Sequence, residues 1–303
     1  DFSSYLETNI PTLACFSAFS WNIGLGHEYA RQIKKAFPKT ITIFGGPNFP
    51  AGYEEQKTFL EKYPSIDCFF EFEGEMAFIE MFKALQKIDF DWNRFKIERQ
   101  TVPSIRYLTD GDLVVAELMP QVTDLDSLPS PHLSGISDKF YDGVLVPMMQ
   151  TARGCPYACT FCTEGGSYFQ KVKRFSRERI EAELKYIVER VKVNDLMIVD
   201  ANFGMFKEDL ETTHMLAELK EKYNWPKCVI AATAKNNKKR IIEIVNVLGS
   251  NTMAPSFSIQ TTDEEVLKHI KRKNPPLDQM IKLGIAANEM GLQSKAEIIL
   301  CLE

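Results

Sequence analysis

The chain has 303 residues, 45% of them hydrophobic and 25% charged, which is the composition of a soluble globular protein. Its formal net charge of −5 gives no general electrostatic reason to expect binding to nucleic acid or to a membrane surface. No apolar run approaches the roughly 20 residues needed to cross a bilayer, so no membrane span is expected. The length suffices for two domains with ordinary cores.

The amino-terminal part alternates strand and helix patterns. Apolar or β-branched runs at residues 13–19, 40–44 and 66–70 predict three strands, with helical spacing of apolar side chains between and after them. This alternation predicts a parallel, doubly wound sheet of the α/β class. A ligand crevice should then lie at the carboxyl ends of the strands.

Small and polar residues occupy these predicted strand ends. They are Ser17, Ser20, Gly45, Gly46, Pro47, Glu73 and Gly74. Glycine at such a position lets the backbone approach a ligand closely. Taken alone, these residues are more typical of ordinary turns and helix starts.

Residues 101–144 are predicted to connect a first domain, residues 1–100, to a second, residues 145–303. Strand-like runs on both sides of Asp110-Gly111 predict a hairpin. The proline-limited stretch at residues 124–131 predicts an extended linker.

From residue 145 the alternation of strands and helices resumes. Five strands are predicted, at residues 145–151, 196–199, 228–233, 256–260 and 296–302. Helices with 3.6-residue periodicity separate them, and Ser176 is the predicted N-cap of the first. Five such units predict part of a (β/α) barrel, with catalytic groups at the carboxyl ends of its strands.

Three closely spaced cysteines follow the first of these strands, in the pattern Cys155-x-x-x-Cys159-x-x-Cys162. Three thiolates on one loop can each bind one iron of a four-iron cluster and leave the fourth iron open, whereas an ordinary electron-transfer cluster takes four cysteines. Structural zinc needs four ligands, and no second cysteine pair lies nearby. A disulfide framework does not suit seven cysteines in a long chain. Zinc and a plain cluster remain as alternatives.

The run Arg-Gly-Cys-Pro-Tyr-Ala-Cys-Thr-Phe-Cys at residues 153–162 resembles the cluster-binding loop of the radical S-adenosylmethionine (SAM) enzymes. The resemblance implies that the open iron of a [4Fe-4S] cluster holds the amino and carboxylate groups of SAM. One electron, from a donor such as flavodoxin or ferredoxin, then cleaves the sulfonium to give a 5′-deoxyadenosyl radical. An oxygen-sensitive cluster and free cysteines suggest a reducing cytoplasm. The family's barrel usually has six units, so a partial, carboxyl-terminally incomplete (β/α)6 TIM-like barrel is expected.

The same resemblance assigns further residues to SAM. Phe161 and Ile299 would pack near the adenine. Asp200 and Asn202 would accept hydrogen bonds from the methionyl ammonium group. Ser258 and Gln260, on one face of their strand, would bind the ribose, and Arg272 would pair with the methionyl carboxylate. Two simpler interpretations stay open. Asp200 could merely cap a turn, and Arg272 could be a solvated basic helix end.

Residues 13–85 resemble the second half of the cobalamin-binding domain that precedes many radical SAM enzymes. The similar pieces are Phe-Ser-x-Phe-Ser-Trp-Asn at 16–22, Phe-Gly-Gly-Pro at 44–47, and Ile-Asp-Cys-Phe-Phe-Glu-Phe-Glu-Gly-Glu at 66–75. The resemblance implies a partial Rossmann-like sheet whose strand-end loops cradle the corrin of cobalamin. The family's first strand–helix–strand unit is expected upstream of Asp1.

These features favour a cobalamin-dependent radical SAM methyltransferase that acts on an unactivated carbon of a small-molecule or peptide substrate. A first alternative is a radical SAM enzyme that catalyses cyclisation, rearrangement or methylthiolation. A second, from another class, is a non-catalytic iron–sulfur or zinc module that senses redox state.

Overall fold

The structure, a computed structural model, describes residues 2–235, 237–249, 251–254, 256–289 and 295–302. The chain divides into two units, Asp1–Gln121 and Val122–Glu303. Helices and parallel strands alternate in both, which confirms the predicted α/β class.

The first unit contains one five-stranded sheet. In chain order its elements are α1 (Phe2–Thr8), β1 (Leu13–Ser17), α2 (Ile23–Ala36), β2 (Ile41–Gly45), α3 (Tyr53–Lys62), β3 (Cys68–Phe70), α4 (Glu75–Gln86), α5 (Trp92–Ile97), β4 (Ile105–Thr109) and β5 (Asp112–Val115). The strands lie in the order β1-β2-β3-β4-β5, with β1, β2 and β3 parallel.

Helices cover both faces of this sheet. Phe44 and Phe69 pack on one face with Leu60 of α3, whereas Ile43 and Met81 pack on the other. The strands β2 and β3 therefore consist almost entirely of buried residues. Apolar runs without alternation are typical of parallel strands that are buried on both faces.

The predicted hairpin is confirmed, but it belongs to the sheet of the first unit. Asp110 and Gly111 have φ angles of 53° and 78°, which a two-residue hairpin turn of the primed type requires. Its first strand pairs antiparallel with β3, where Phe69 is opposite Arg106. The hairpin thus satisfies the backbone groups of an otherwise open sheet edge. The boundary between the two units lies after Gln121, so the hairpin is part of the first unit and not of a free linker.

The stretch predicted as an extended linker also has local structure. Residues Leu125–Ser127 form a 3₁₀ turn capped by Asp124, whose Oδ1 accepts from the Asp126 backbone N–H at 3.1 Å. The Asp126 carboxylate accepts in turn from the Ser176 N–H at 3.0 Å. These bonds attach the stretch to the second unit.

The second unit contains the remaining elements. They are β6 (Met148–Met149), β7 (Ala152–Arg153), β8 (Lys173–Arg174), α6 (Arg177–Val188), β9 (Asp195–Phe203), α7 (Glu208–Tyr223), β10 (Cys228–Thr233), α8 (Lys238–Leu248), β11 (Ser256–Gln260), α9 (Glu264–His269), α10 (Leu277–Glu289) and β12 (Lys295–Ile298). Parallel strands form two ladders among the described residues, β10-β9-β6 and β11-β12, while β7 and β8 pair antiparallel.

The first predicted strand of this unit, residues 145–151, is mostly wrong. Within 145–151 only Met148 and Met149 form a strand, β6, which pairs with β9. The chain bends at Thr151, whose N–H and hydroxyl both donate to the Asp200 carboxylate. The predicted N-cap of α6 is confirmed, since Ser176 Oγ accepts from the Arg179 N–H at 3.1 Å. The apolar stripes of α6, α7 and α8 form the core with β9.

In the described part of the chain, no helix combines the length and the apolar character that a membrane crossing requires.

Candidate active site

The cysteine loop begins directly after β7, and two glycines fix its path. Gly154 has a φ angle of +107°, and a Cβ there would lie 2.7 Å from the Phe169 carbonyl oxygen. The Cys155 N–H donates to that same oxygen at 2.8 Å. At Gly165 the chain packs back against Cys159, since a Cβ on Gly165 would lie 2.0 Å from the Cys159 carbonyl oxygen. Neither position accommodates a side chain without moving the backbone.

Cys155 and Cys159 are buried, Cys162 is half-buried, and none of the seven cysteines forms a disulfide. Among the described residues, no three His, Cys, Asp or Glu side chains converge on a point suitable for a single metal ion. A four-iron cluster does not need such convergence, because each cysteine binds a different iron. Three thiolates on one loop therefore fit the cluster by chemistry and by count.

Asp200 lies inside β9, which continues to Phe203 and so extends beyond the strand end predicted at residue 199. Its carboxylate is occupied by protein donors. The Thr151 N–H donates to Oδ1 at 2.7 Å, the Ala152 N–H donates to it at 3.1 Å, and the Thr151 hydroxyl donates to Oδ2. Burial raises the pKa of this carboxyl, and these hydrogen bonds oppose the rise. Asp200 thus orients the chain that enters the cysteine loop, which agrees with its simpler interpretation as a turn cap.

Asn202, two residues further on, lies against the cysteine loop. Its Nδ2 donates to the Cys155 sulfur at 3.2 Å, and the side chain is buried. Its Oδ1 is also buried, and within the described residues it accepts no hydrogen bond. The amide nitrogen of Asn202 thus donates to the Cys155 sulfur, and the amide oxygen remains available as an acceptor for a ligand.

Gln260 ends β11 at a bulge. Register with β12 shifts between Ser258 and Gln260, and Gln260 has a φ angle of +67°. Gln260 is buried, and its Oε1 has no hydrogen-bond partner in the part of the chain that the structure describes. Ser258 instead donates through Oγ to Glu297 at 2.8 Å, at the exposed surface. The bulge interrupts the alternation on which the shared face was predicted, and the two side chains have different surroundings. Their common role at the ribose stays a prediction.

Arg272 lies in a turn after α9 and not on a helix. It is buried, so the solvated helix end is wrong for this residue. Its Nε donates to Asn274 Oδ1 at 2.9 Å, and Nη2 donates to the Ser258 carbonyl. The buried Nη1 has no hydrogen-bond acceptor among the residues described. The Arg272 guanidinium thus keeps Nη1 available to donate a hydrogen bond to an anionic ligand.

A backbone hydrogen bond joins the cysteine loop to the Arg272 turn, as the Thr160 N–H donates to the Ile270 carbonyl at 3.2 Å. Phe161, next to that bond, is half-buried. Ile299 is 38% exposed, and its N–H donates to the Gln260 carbonyl at 2.9 Å. Hydrogen bonds thus join Cys155 to Asn202, and Arg272 to the backbone of the strand that ends at Gln260, whereas the Ser258 hydroxyl bonds to Glu297.

Lys235 is a residue of this site that the sequence interpretation missed. It follows β10 by two residues, and its Nζ lies 3.9 Å from the Cys159 sulfur and 5.1 Å from the ring centre of Tyr157. Burial raises the pKa of the neighbouring Glu164 carboxyl, and the Lys235 charge opposes the rise. Its position at the carboxyl end of a predicted barrel strand was the available signal.

In the first unit, the predicted strand-end residues lie on loops that are fixed by local hydrogen bonds and by close packing of backbone segments. Asn22 donates through Nδ2 to Ser17 Oγ and accepts from the Phe19 N–H, both at 2.8 Å. Gly46 has a φ angle of +138°, and a Cβ there would lie 2.6 Å from the Ala18 carbonyl oxygen. The loops after β1 and β2 are therefore in close contact.

The other predicted residues of these loops have more space. Ser20 and Pro47 are exposed, while Gly45 and Glu73 are half-buried. A Cβ on Gly74, at the N-cap of α4, would have no atom within 4 Å. The parallel strands β1, β2 and β3 bring all seven residues to one edge of the sheet.

Comparisons with known proteins agree with this geometry. The chain is 30% identical to the cobalamin-dependent radical SAM methyltransferase TokK of Streptomyces tokunonensis, over 96% of this chain and 42% of the relative. It is 29% identical to the 2-(S-pantetheinyl)-carbapenam-3-carboxylate methyltransferase of Streptantibioticus cattleyicolor, with the same coverage. The chain thus spans less than half the length of these relatives.

Among solved structures, the fold is similar to that of the cobalamin-dependent SAM radical enzyme OxsB. The TM-score is 0.71 at 18% identity, over 99% of this chain and 42% of the other. The family model of the radical SAM superfamily matches residues 149–302, which include all three cysteines and the residues that surround them. The chain therefore belongs to the radical SAM superfamily.

Proposed function

We propose that this protein is a cobalamin-dependent radical SAM methyltransferase, which transfers a methyl group to an unactivated carbon of a small-molecule or peptide substrate. Cys155, Cys159 and Cys162 would hold a [4Fe-4S] cluster, and SAM would bind beside it. When bound, these groups and cobalamin supply one-electron cleavage of SAM and methyl transfer. The protein itself binds, orients and excludes water.

Three buried side-chain atoms carry the proposal, because none of them has a hydrogen-bond partner among the described residues: Asn202 Oδ1, Gln260 Oε1 and Arg272 Nη1. Asn202 Oδ1 is an acceptor, as an ammonium group requires. Gln260 Oε1 is a second acceptor, suited to ribose hydroxyls, and Arg272 Nη1 is a cationic donor, suited to a carboxylate. Buried polar groups are almost always hydrogen-bonded in folded proteins. Their chemistry therefore matches the polar groups of SAM.

The same atoms oppose the non-catalytic alternative. A zinc or iron–sulfur sensor needs only its metal ligands, and it gains nothing from unpartnered polar atoms beside the metal, since each costs free energy. Asn202 has its donor on a cysteine sulfur and its acceptor free. This arrangement suits a site that recognises a ligand next to a cluster.

Cobalamin is proposed for the first unit on different grounds. Gly45, Gly46 and Gly74 lie at one edge of a parallel sheet, where ligands of such folds bind. A broad planar corrin needs close approach to the backbone more than it needs charged side chains. TokK, the relative named as cobalamin-dependent, shares 30% identity over a region that includes this unit.

Methylation is preferred to cyclisation, rearrangement or methylthiolation, because both relatives described above are named as methyltransferases. A small electron-transfer protein such as flavodoxin or ferredoxin, and a reducing cytoplasm, belong to the same proposal. Each methylated product should accompany one S-adenosylhomocysteine, from methyl donation, and one 5′-deoxyadenosine, from hydrogen abstraction.

The test is anaerobic reconstitution with iron and sulfide, with and without cobalamin, followed by absorption spectra and measurement of SAM binding. We expect iron–sulfur absorption that requires all three cysteines, and SAM affinity that falls about tenfold in Gln260→Leu, because one hydrogen bond in a buried site is lost. Full SAM cleavage by Cys159→Ala would reject the radical mechanism. Cleavage to 5′-deoxyadenosine without any S-adenosylhomocysteine would reject methyl transfer and leave the rest intact.

A further inference from the structure

The Lys235 ammonium contacts the cysteine loop at two places. Its Nζ lies 3.9 Å from the Cys159 sulfur, within the range of an N–H···S hydrogen bond, and 5.1 Å from the ring centre of Tyr157. Tyr157 is itself a residue between the first two cysteines, so its ring holds the cation beside the loop by a cation–π contact. Lys235 is half-buried, which limits its screening by solvent.

This contact differs from that of Asn202. The Asn202 amide donates to Cys155 and is neutral, whereas the lysine places a full positive charge next to Cys159. Cys155 and Cys159 thus each have a side-chain N–H donor, and the donor to Cys159 is charged. Hydrogen bonds to the sulfurs and local charge are among the factors that set the potential of an iron–sulfur cluster.

We propose that Lys235 is a positioning residue that raises the reduction potential of the cluster by acting on Cys159. The inference rests on the proposed function, since it assumes that the three cysteines hold the cluster. Reduction adds one electron from an external donor, and it therefore adds one negative charge to the cluster and its thiolates. A cation at 3.9 Å stabilises that reduced state more than the oxidised one.

The direction of the effect follows directly. Removal of the charge makes reduction less favourable and shifts the midpoint potential to a more negative value. Lys235→Arg keeps the charge, whereas Lys235→Met and Lys235→Gln remove it, and glutamine still offers an N–H donor. The three variants separate the contribution of charge from that of the hydrogen bond.

The experiment is a redox titration of the reconstituted protein without SAM, followed by absorption and by electron paramagnetic resonance of the reduced cluster. For Lys235→Met we expect the reduction equilibrium constant to fall about tenfold, which for a one-electron couple is a shift of 59 mV. Lys235→Arg should stay close to the wild type. Lys239→Met, which removes an exposed lysine of α8, is the matched control and should leave the potential unchanged.

Iron and sulfide content are measured for every variant, so that a lost cluster is not mistaken for a shifted one. If Lys235→Met assembles no cluster, Lys235→Gln decides the question, with the same negative shift expected. An unchanged potential in a fully loaded charge-removing variant would overturn the inference, as would an equal shift in Lys239→Met. Failure of the wild type to bind any cluster is a different result, because it would reject the proposed function.

Discussion

In the first unit the candidate residues lie on loops after parallel strands, whereas in the second unit three of the candidates are buried side chains that each keep one polar atom without a partner. None of the seven predicted residues of the first unit carries a buried side-chain atom without a partner, among the residues described. Asn202, Gln260 and Arg272 of the second unit each carry one. The difference agrees with the two proposed ligands, a corrin that needs close approach to a surface and SAM, which needs matched hydrogen bonds.

The largest expected effect comes from the cysteine loop. Gly165→Ala would place a Cβ 2.0 Å from the Cys159 carbonyl oxygen, so the loop must move and the three sulfurs lose their arrangement. We expect the variant to lose nearly all iron–sulfur absorption after reconstitution. Gly166→Ala is the control, because the nearest atom to its Cβ is 4.0 Å away, and it should bind the cluster normally. Equal cluster content in the two variants would contradict this account of the loop.

A smaller effect is expected where two backbone segments meet in the first unit. Gly46→Ala adds strain at a φ angle of +138° and an overlap with the Ala18 carbonyl. We expect a loss of about 3 kcal/mol in the free energy of unfolding, measured by urea denaturation, together with weaker cobalamin binding.

Gly74→Ala sharpens the same comparison, since its Cβ would meet no atom of the protein. It should leave stability within about 0.5 kcal/mol of the wild type and still weaken cobalamin binding, measured by equilibrium titration. Normal cobalamin affinity in Gly74→Ala would remove Gly74 from the proposed corrin surface.

The smallest effect is expected for Ser258→Ala. Its hydroxyl bonds to Glu297 at the exposed surface, so its loss should change SAM affinity less than twofold and stability by less than about 0.5 kcal/mol. Calorimetric titration beside Gln260→Leu gives the contrast directly. A large loss of affinity in Ser258→Ala would restore the ribose role that the resemblance implied.

The sequence predicted the parts of this molecule that depend on local pattern. Strand positions in the first unit agree within a few residues, because buried parallel strands are continuous apolar runs. The Ser176 cap and the Asp110-Gly111 turn were identifiable, since both are set by a few neighbouring residues. The spacing of the three cysteines marked the loop as a candidate metal site, and the resemblance of residues 153–162 to a known loop indicated which cluster it would bind.

Features that depend on contacts between distant segments could not be predicted. The burial of Arg272 follows from its bond to the Ser258 carbonyl, and the occupation of Asp200 follows from the turn at Thr151. The bulge before Gln260 interrupts the alternation of side chains along β11, and no residue pattern in the strand predicts it. Pairing of the hairpin with β3 likewise depends on an edge that forms only in the folded sheet.

The three unpartnered atoms have a consequence for how robust the folded protein can be. A buried polar atom without a partner costs on the order of 1–3 kcal/mol, so the ligand-free second unit is less stable than its packing alone would make it. A ligand that supplies the missing partners recovers this loss and raises the melting temperature as it binds. Selection for tolerance to heat would therefore tend to replace these side chains with apolar ones, whereas selection for the proposed ligand would keep them polar.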